Sequence, residues 1–514
     1  MLILAVAGIL IAASFVGLAI LHNLLQNIVP FLILYCTAYL AYGIAVWWVL
    51  RKPDNRRELG AVIGLAVLFR VVLLFTSPPT LSDDVYRYIW DGRLMNAGVN
   101  PYAHPVNSPL LAPYDSPQRA LVNHNWMASP YLPATQLLFA VVYRLAPDSP
   151  LAFQVAAVLF DLLTGWLVID LLQRLGLPRT RALIYLWHPL VAVESAHGAH
   201  VVDALMVCLI MVALWLLVIG RSKYSHKPDA DQLTQDFAAE NTETTEKKQE
   251  TSAPSASSAP SAQLGLQGNL PQVLSAVVLA AATLTKGLPA LLLPIVVRRW
   301  KLGPTILYGS LVVAACALFA FGAGWGLTGP LDGEGLFGAL RIYGSLWNYN
   351  GGLYHWIEVL VSGYPTAGAV PQGVVGPAPI LAAKLIVSAA LLVVLGVVWY
   401  KGRQIEDSLS LLRLAMVPLA AYLLLTTTVH PWYVTLVIPL LPFLTPRASE
   451  EAKLNRRLSP WLYFALAVAF SYLTYLDVEN LREYDSARPL EYIPFYLLLI
   501  WSIWTTRGAP KRLR

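Results

Sequence analysis

The stretch Ser82-Asp-Asp-Val-Tyr-Arg-Tyr-Ile-Trp-Asp-Gly-Arg-Leu-Met-Asn-Ala-Gly-Val-Asn-Pro-Tyr102 decides how this chain is read. It crowds the carboxylates of Asp83, Asp84 and Asp91 and the guanidiniums of Arg87 and Arg93 onto one short segment. The segment directly follows the apolar run Ala61–Thr76, which crosses a bilayer if it is tilted or slightly extended. Charges held beside a membrane are costly unless they are used or paired.

Composition agrees with a membrane chain. Of its 514 residues 57% are hydrophobic and 13% charged, whereas a soluble domain has roughly a quarter charged. The 16 Trp and 25 Tyr suit interfacial aromatic belts. The net charge of +6 sits in short Lys/Arg clusters between apolar runs, the pattern that orients membrane proteins. It does not form a basic groove of the kind that binds nucleic acid. Cys36, Cys208 and Cys316 each lie inside an apolar run, with no Cys-x-x-Cys spacing, so they read as small core residues. The N-terminus is apolar at once and lacks a basic leader, so it reads as a retained first span.

Apolar runs lie near 3–21, 29–50, 59–76, 150–173, 181–197, 201–220, 271–285, 287–299, 303–322, 376–400, 409–429, 432–446, 459–476 and 491–506. They predict an all-α polytopic transmembrane helical bundle of about 12–14 spans with external interfacial helices. Lys/Arg clusters such as Arg51–Arg57, Arg298–Lys301 and Lys401–Arg403 each follow an even-numbered run. That bias puts both termini in the cytoplasm and makes the loops 77–149 and 323–375 external. The agreement requires residues 131–146 to lie at the external surface without crossing. Residues 222–270, rich in Glu, Thr, Ser, Ala and Pro, have little to bury and read as a disordered cytoplasmic linker. The chain then divides into an N-terminal transmembrane part, 1–221, and a C-terminal one, 271–514.

This topology gathers the unusual polar residues on one side. Asp83 and Asp84 suit a general base that takes the proton of an attacking hydroxyl. Adjacent carboxylates on extended backbone point apart, so one serves as base and the other orients or binds metal. The alternative is a solvated acidic turn, with Ser82 as a helix N-cap and Asp84 paired to Arg87. Lys286, between two short apolar runs, suits a lipid phosphate or simply snorkels from a helix end. Arg341 has the same two readings. His197, His200 and Asp203 are spaced i, i+3, i+6, which nearly aligns them on a helix for a substrate or a metal; structural histidines at a helix turn fit as well. His430 could donate to a phosphate oxygen, and Trp432 could offer a ring face to a sugar or prenyl chain. Glu194 sits within or near an apolar run and so is expected protonated or paired. Arg70 and Asp161, on the third and fourth runs, would simply pair.

The order Asp-Asp, Arg-Tyr, Asp-Gly-Arg, Gly-x-Asn-Pro-Tyr in 82–102 resembles the first external loop of GT-C membrane glycosyltransferases, in particular bacterial mannosyltransferases that use polyprenyl-phosphate sugars. The segment from His188-Pro-Leu to Asp203, Lys286-x-x-Pro and the Pro431-Trp-Tyr turn are similar to further segments of that class. The resemblance implies an acidic catalytic residue at Asp83 or Asp84. It implies an inverting transfer of a hexose, with mannose preferred, from a polyprenyl-phosphate donor to a glycan or glycolipid acceptor at the external face of a bacterial inner membrane. Arg87, Asp91, Arg93, Lys286, Arg341, His430 and Trp432 would bind the donor, with Mg or Mn as an optional divalent cation. The rival readings are a transporter or flippase of lipid-linked glycan, a non-catalytic subunit that binds one, and a ligase joining glycan to lipid.

Overall fold

Long apolar runs free of internal charge build the first two helices, α1 (Leu2–Leu21) and α2 (Ile28–Val49), which pack side by side. The computed structural model describes residues 1–222, 263–328, 333–362, 378–445, 455–477, 483 and 486–507. Asn55 caps α3 (Arg56–Leu74) by accepting from the Arg57 backbone N–H at 2.9 Å. Two short helices follow, α4 (Asp84–Asn96) and α5 (Pro133–Leu145). At 13 residues each, neither can cross a bilayer. They lie against each other, and Gly92 makes this possible: a Cβ there would sit 2.6 Å from the Phe139 carbonyl oxygen. Asn100 donates to the Phe319 carbonyl at 2.8 Å, which fastens the loop after α4 to the bundle.

The central helices are α6 (Pro150–Arg174), α7 (Val201–Ser222) and α8 (Gln263–Lys286). α7 packs against both of the others along much of its length. Beyond them come α9 (Leu302–Ala320), α10 (Gly338–Leu346), α11 (Leu353–Ser362), α12 (Ala378–Gly402) and α13 (Ser408–Leu425). The chain ends in α14 (Asn455–Ala467), continued by the turns Val468–Leu476, and α15 (Ala487–Arg507).

Every expected apolar run is helical, and the described residues contain no strand. Among the described residues, eight helices are long and apolar enough to cross a membrane. α3 and α15 fall outside that set, and Leu270–Lys286 is apolar but shorter. Three expected spans contain no long helix among the described residues. Residues 179–197 are split into Arg179–Ala182, Leu183–Leu186, Pro189–Ala192 and a π-turn, Val193–His197. Pro289 and Pro294 break 287–299 into Leu288–Leu292 and Leu293–Val296. Residues 431–444 form the tight turns Pro431–Leu436, opened by Pro431, and Ile438–Leu444, which contains Pro439 and Pro442. Each proline lacks the backbone N–H that a regular helix would use. Of the expected linker 222–270, residues 223–262 lie outside the described residues, and Gln263–Leu270 belong to α8.

Ile9, Ile20, Leu40, Leu318, Leu392 and Val393 are exposed on the spans. So much apolar surface has no place in water and suits a lipid belt. α7 is the most buried of the eight spans, and α9 and α12 are the least.

Candidate active site

The N-terminus of α4 carries the acidic pair. Asp83 is the N-cap, and the Ser82 hydroxyl accepts from the Asp84 backbone N–H at 3.3 Å. The two carboxylates converge: the Asn123 side-chain amide donates to Asp83 Oδ1 at 2.6 Å and to Asp84 Oδ1 at 3.0 Å. This corrects the expectation that they point apart, because a helix start turns the backbone between them where a strand would not. Asp83 is exposed at the mouth of the site. Surrounding protein, then the Asp84 charge, push its carboxyl up to about 6.

Arg87 does not pair with Asp84. It is buried, and its guanidinium donates to the carbonyls of Asn123 (3.0 Å), His124 (2.9 Å) and Met127 (3.2 Å). It therefore clamps the loop that presents Asn123. Asp91, one further turn along α4, is buried too; it accepts from Ser129 Oγ and from Gln136 Nε2 at 3.0 Å. Burial raises its carboxyl above the usual range. Arg93 reaches the surface and pairs with Asp148 at 3.0 Å. Of the five charges in 82–102, only Asp83 and Asp84 face the open site.

The second half of the site comes from α7 and α8. Asp203 lies in the first turn of α7 and Lys286 ends α8, so close packing of these helices brings them together. Lys286 Nζ is 2.8 Å from Asp203 Oδ1 and 3.9 Å above the Tyr433 ring, and its side chain stays partly exposed. The charges of Asp84 and Asp203 both act on the Tyr433 phenol, which puts the acidic pair and the ammonium in one site. Asp84 likewise acts on His124 and Tyr343, and Asp83 and Asp84 on Tyr475.

A ladder of four rings closes one wall. Tyr349 stacks on His430 (4.7 Å), His430 on Trp432 (4.4 Å) and Trp432 on His200 (4.0 Å). Both faces of Trp432 are thereby covered, so it offers no free face to a sugar, contrary to expectation. His430 keeps its edge. Among the described residues no hydrogen-bond partner engages its ring nitrogens. Burial, then the Lys286 charge, hold the imidazole down to about 3, so it is neutral at physiological pH.

His197, His200 and Asp203 do not assemble a metal site. The π-turn and the tight turn Gly198–His200 send the three side chains to different partners. The Thr80 N–H donates to His197 Nε2 at 3.2 Å, which leaves Nδ1 as the donor to Thr76 Oγ1 at 2.7 Å. His197 thus pins the segment leading into Asp83. His200 stacks on Trp432 and lies 3.2 Å from Glu194, which accepts from the Tyr472 hydroxyl at 2.9 Å. Asp203 is engaged by Lys286. Among the described residues no three His, Cys, Asp or Glu are grouped to hold a metal ion. His197, His200 and Asp203 therefore do not act together as metal ligands. Arg341, half-buried, lies on α10 beside the site.

Asn123 and His124 were not anticipated from sequence. The polar cluster Asn123-His-Asn-Trp126 in an otherwise unremarked loop was the available signal.

Fold and site together define a polytopic helical membrane protein with an acidic pair and a lysine facing one open site. The family described as "Alpha-(1->6)-mannopyranosyltransferase, N-terminal domain" matches residues 1–302, more than half of the chain, and the chain belongs to it. Alpha-(1->6)-mannopyranosyltransferase A of Corynebacterium glutamicum is 27% identical over 174 residues, which cover 32% of this chain and 34% of that protein. The chain thus spans about a third of that relative's length. A crystal structure of ArnT from Cupriavidus metallidurans bound to undecaprenyl phosphate aligns over 86% of this chain and 76% of that one, at 14% identity and a TM-score of 0.41.

Proposed function

We propose that this protein is an inverting membrane mannosyltransferase that takes mannose from a polyprenyl-phosphate donor and delivers it to a glycan or glycolipid acceptor at the external face. Membership of a mannopyranosyltransferase family supports the reaction class. The single observation that carries the chemistry is the open Asp83 carboxyl, raised to about 6 and held beside Asp84 by Asn123, in the same site as Lys286.

In this reading Asp83 accepts the proton of the acceptor hydroxyl as its oxygen attacks the anomeric carbon. The bond from that carbon to the phosphate oxygen breaks on the opposite side, so the configuration inverts. The electron pair leaves on polyprenyl phosphate. Lys286 and the neutral His430 edge stabilise the growing charge on that leaving group, the kind of fixed electrostatic contact that lowers a barrier most. A base with a pKa near 6 is ionised at neutral pH yet still basic enough to act. Asp84 tunes that basicity. Arg87 positions Asn123, and His197 positions the segment 76–80. No step needs a metal, and chelator should leave turnover within about 2-fold.

The test is transfer by the purified protein. It should form a mannosylated product from polyprenyl-phosphate mannose and a mannan-type acceptor, and none from a soluble nucleotide sugar. No product across a panel of acceptors, with donor translocated between leaflets instead, would replace the enzyme by a transporter. The external placement has its own test. Single cysteines at Ser108 and Ser255 in sealed cells should label with an impermeant reagent only at Ser108; labelling at Ser255 would reverse the orientation.

A further inference from the structure

The helices that hold Asp203 and Lys286 have a second cavity at their other ends. Asp203 and Gly220 are separated by 17 residues of α7, or about 26 Å at 1.5 Å per residue. Lys286 and Gln272 are separated by 14 residues of α8, or about 21 Å. Between Gly220, Gln272 and the C-terminal end of α12 lies a cavity of about 540 Å³. It is far from the acidic site and shares none of its residues.

Its lining is two-sided. Leu217 and Pro271 supply an apolar wall. Facing them are three guanidiniums, Arg298, Arg299 and Arg403, against one carboxylate, Glu406. The first two are held in place rather than free to wander. Arg298 lies over the Trp399 ring at 3.7 Å, and Arg299 Nη2 donates to the Ile405 carbonyl at 2.8 Å. Arg298 still keeps a buried Nε–H with no hydrogen-bond partner. Arg298 and Arg403 are close enough for their charges to oppose each other. Among the described residues neither forms an ion pair.

Topology alone does not ask for this arrangement. Basic residues that merely orient a membrane protein need only lie on one side, and they relieve their charge in water or on a nearby carboxylate. Two arginines elsewhere in the chain do so: Arg174 pairs with Asp170, and Arg179 with Asp54 at 2.8 Å. Arg298 and Arg403 instead share a cavity, with an unused donor between an aromatic face and a second cation. Planar guanidinium forks are suited to phosphate oxygens. Basic pockets between membrane helices are suited to lipid head groups. The apolar wall beside the cations selects a phosphate that carries a hydrocarbon portion.

We propose that this cavity is a binding site for the phosphate of an anionic lipid, with Arg298 and Arg403 as its principal ligands. The bound phosphodiester accepts from both guanidiniums, removes their mutual repulsion and satisfies Arg298 Nε. Its glycerol and upper acyl chain lie against Leu217 and Pro271. It ties the end of α12 to α7 and α8, and so braces from below the two helices that carry Asp203 and Lys286. The site is independent of the sugar-transfer reading.

The test titrates the full-length protein in neutral detergent and reads its thermal unfolding midpoint. The additions are short-chain phosphatidylglycerol, short-chain phosphatidylcholine and inorganic phosphate, at matched ionic strength. A ligand that binds only the folded state raises the midpoint by mass action. Phosphatidylglycerol should raise it by several degrees in a saturable way, while the other two leave it unchanged. R298Q/R403Q should lose the rise. R403Q alone alters an exposed residue at a helix end, so it will fold, and it should shift the titration to about 10-fold higher lipid. Equal rises with phosphatidylglycerol and phosphatidylcholine, or an unshifted titration in R403Q, would overturn the site. A rise with inorganic phosphate as large as with phosphatidylglycerol would overturn the lipid assignment in favour of a soluble phosphate. A rise seen only after deletion of residues 229–246 would overturn it in favour of the chain's own acidic segment, Asp229 to Glu246.

Discussion

Two of the cation–carboxylate pairs in this bundle, Arg70–Asp161 and Lys286–Asp203, are built for opposite ends. Arg70 and Asp161 are closed on all sides: Arg70 Nε is 2.7 Å from Asp161 Oδ2, Ser195 donates to the same oxygen at 3.0 Å, and the Leu186 carbonyl takes another guanidinium proton. Both side chains are almost fully buried. Lys286 and Asp203 form one short contact and leave the ammonium partly open beside Asp84 and the His430 edge. The difference is one of unused capacity. A pair with every donor and acceptor engaged can only hold helices together. A pair with donors to spare can take on a charge that arrives with a substrate.

The largest effect that would break this contrast is on folding. Arg70→Ala strands the Asp161 carboxylate in the core, which costs about 3–5 kcal/mol. The variant should yield little folded protein by size exclusion in detergent; wild-type yield and melting would show that the pair is not structural. Lys286→Gln keeps a donor beside the buried Asp203 carboxylate, so it should fold, yet it should raise KM for the phosphate-bearing donor by about 10–100-fold, the range expected for a lost charged hydrogen bond. An unchanged KM would remove Lys286 from the donor site.

Two smaller effects sharpen the comparison. Asp83 is the active base when ionised, and its pKa is raised to about 6. Activity should therefore climb with pH through about 6 and level off above it. The Asp84 charge is one cause of that raised value. Asp84→Asn should thus move the acid limb of kcat/KM to lower pH, with turnover otherwise preserved; a limb that stays put or moves up would contradict the coupling. The smallest effect belongs to Arg93, whose half-buried pair with Asp148 lies at the surface and is worth about 0–1 kcal/mol. Arg93→Ala should keep transfer within about 2-fold, and a loss above 10-fold would return Arg93 to the site.

The helices were legible because apolar runs of membrane length admit one economical structure. Where a run was short and carried prolines, as at 181–197 and 432–446, hydropathy alone could not separate a span from a series of turns. The pairing of Arg70 with Asp161 was legible as two lone charges on consecutive spans. The segment 82–102 was legible as a place of consequence, but its division of labour was not. Helical period turns Arg87 and Asp91 inward while Asp83, at the cap, stays open, and that depends on what packs beside α4. The ring ladder was beyond reach, since Tyr349, His430, Trp432 and His200 meet only through tertiary structure. His197, His200 and Asp203 looked aligned because regular helix was assumed through 197–203, where a π-turn and Gly198 interrupt it.

The central claim is that Asp83 takes the acceptor's proton. Asp83→Asn keeps the size of the side chain and loses only the base, so single-turnover transfer from pre-bound polyprenyl-phosphate mannose tests it most directly. The variant should bind donor with wild-type affinity, melt as wild type does, and transfer about 10²–10⁴-fold more slowly. Transfer at the wild-type rate by bound Asp83→Asn would contradict the assignment.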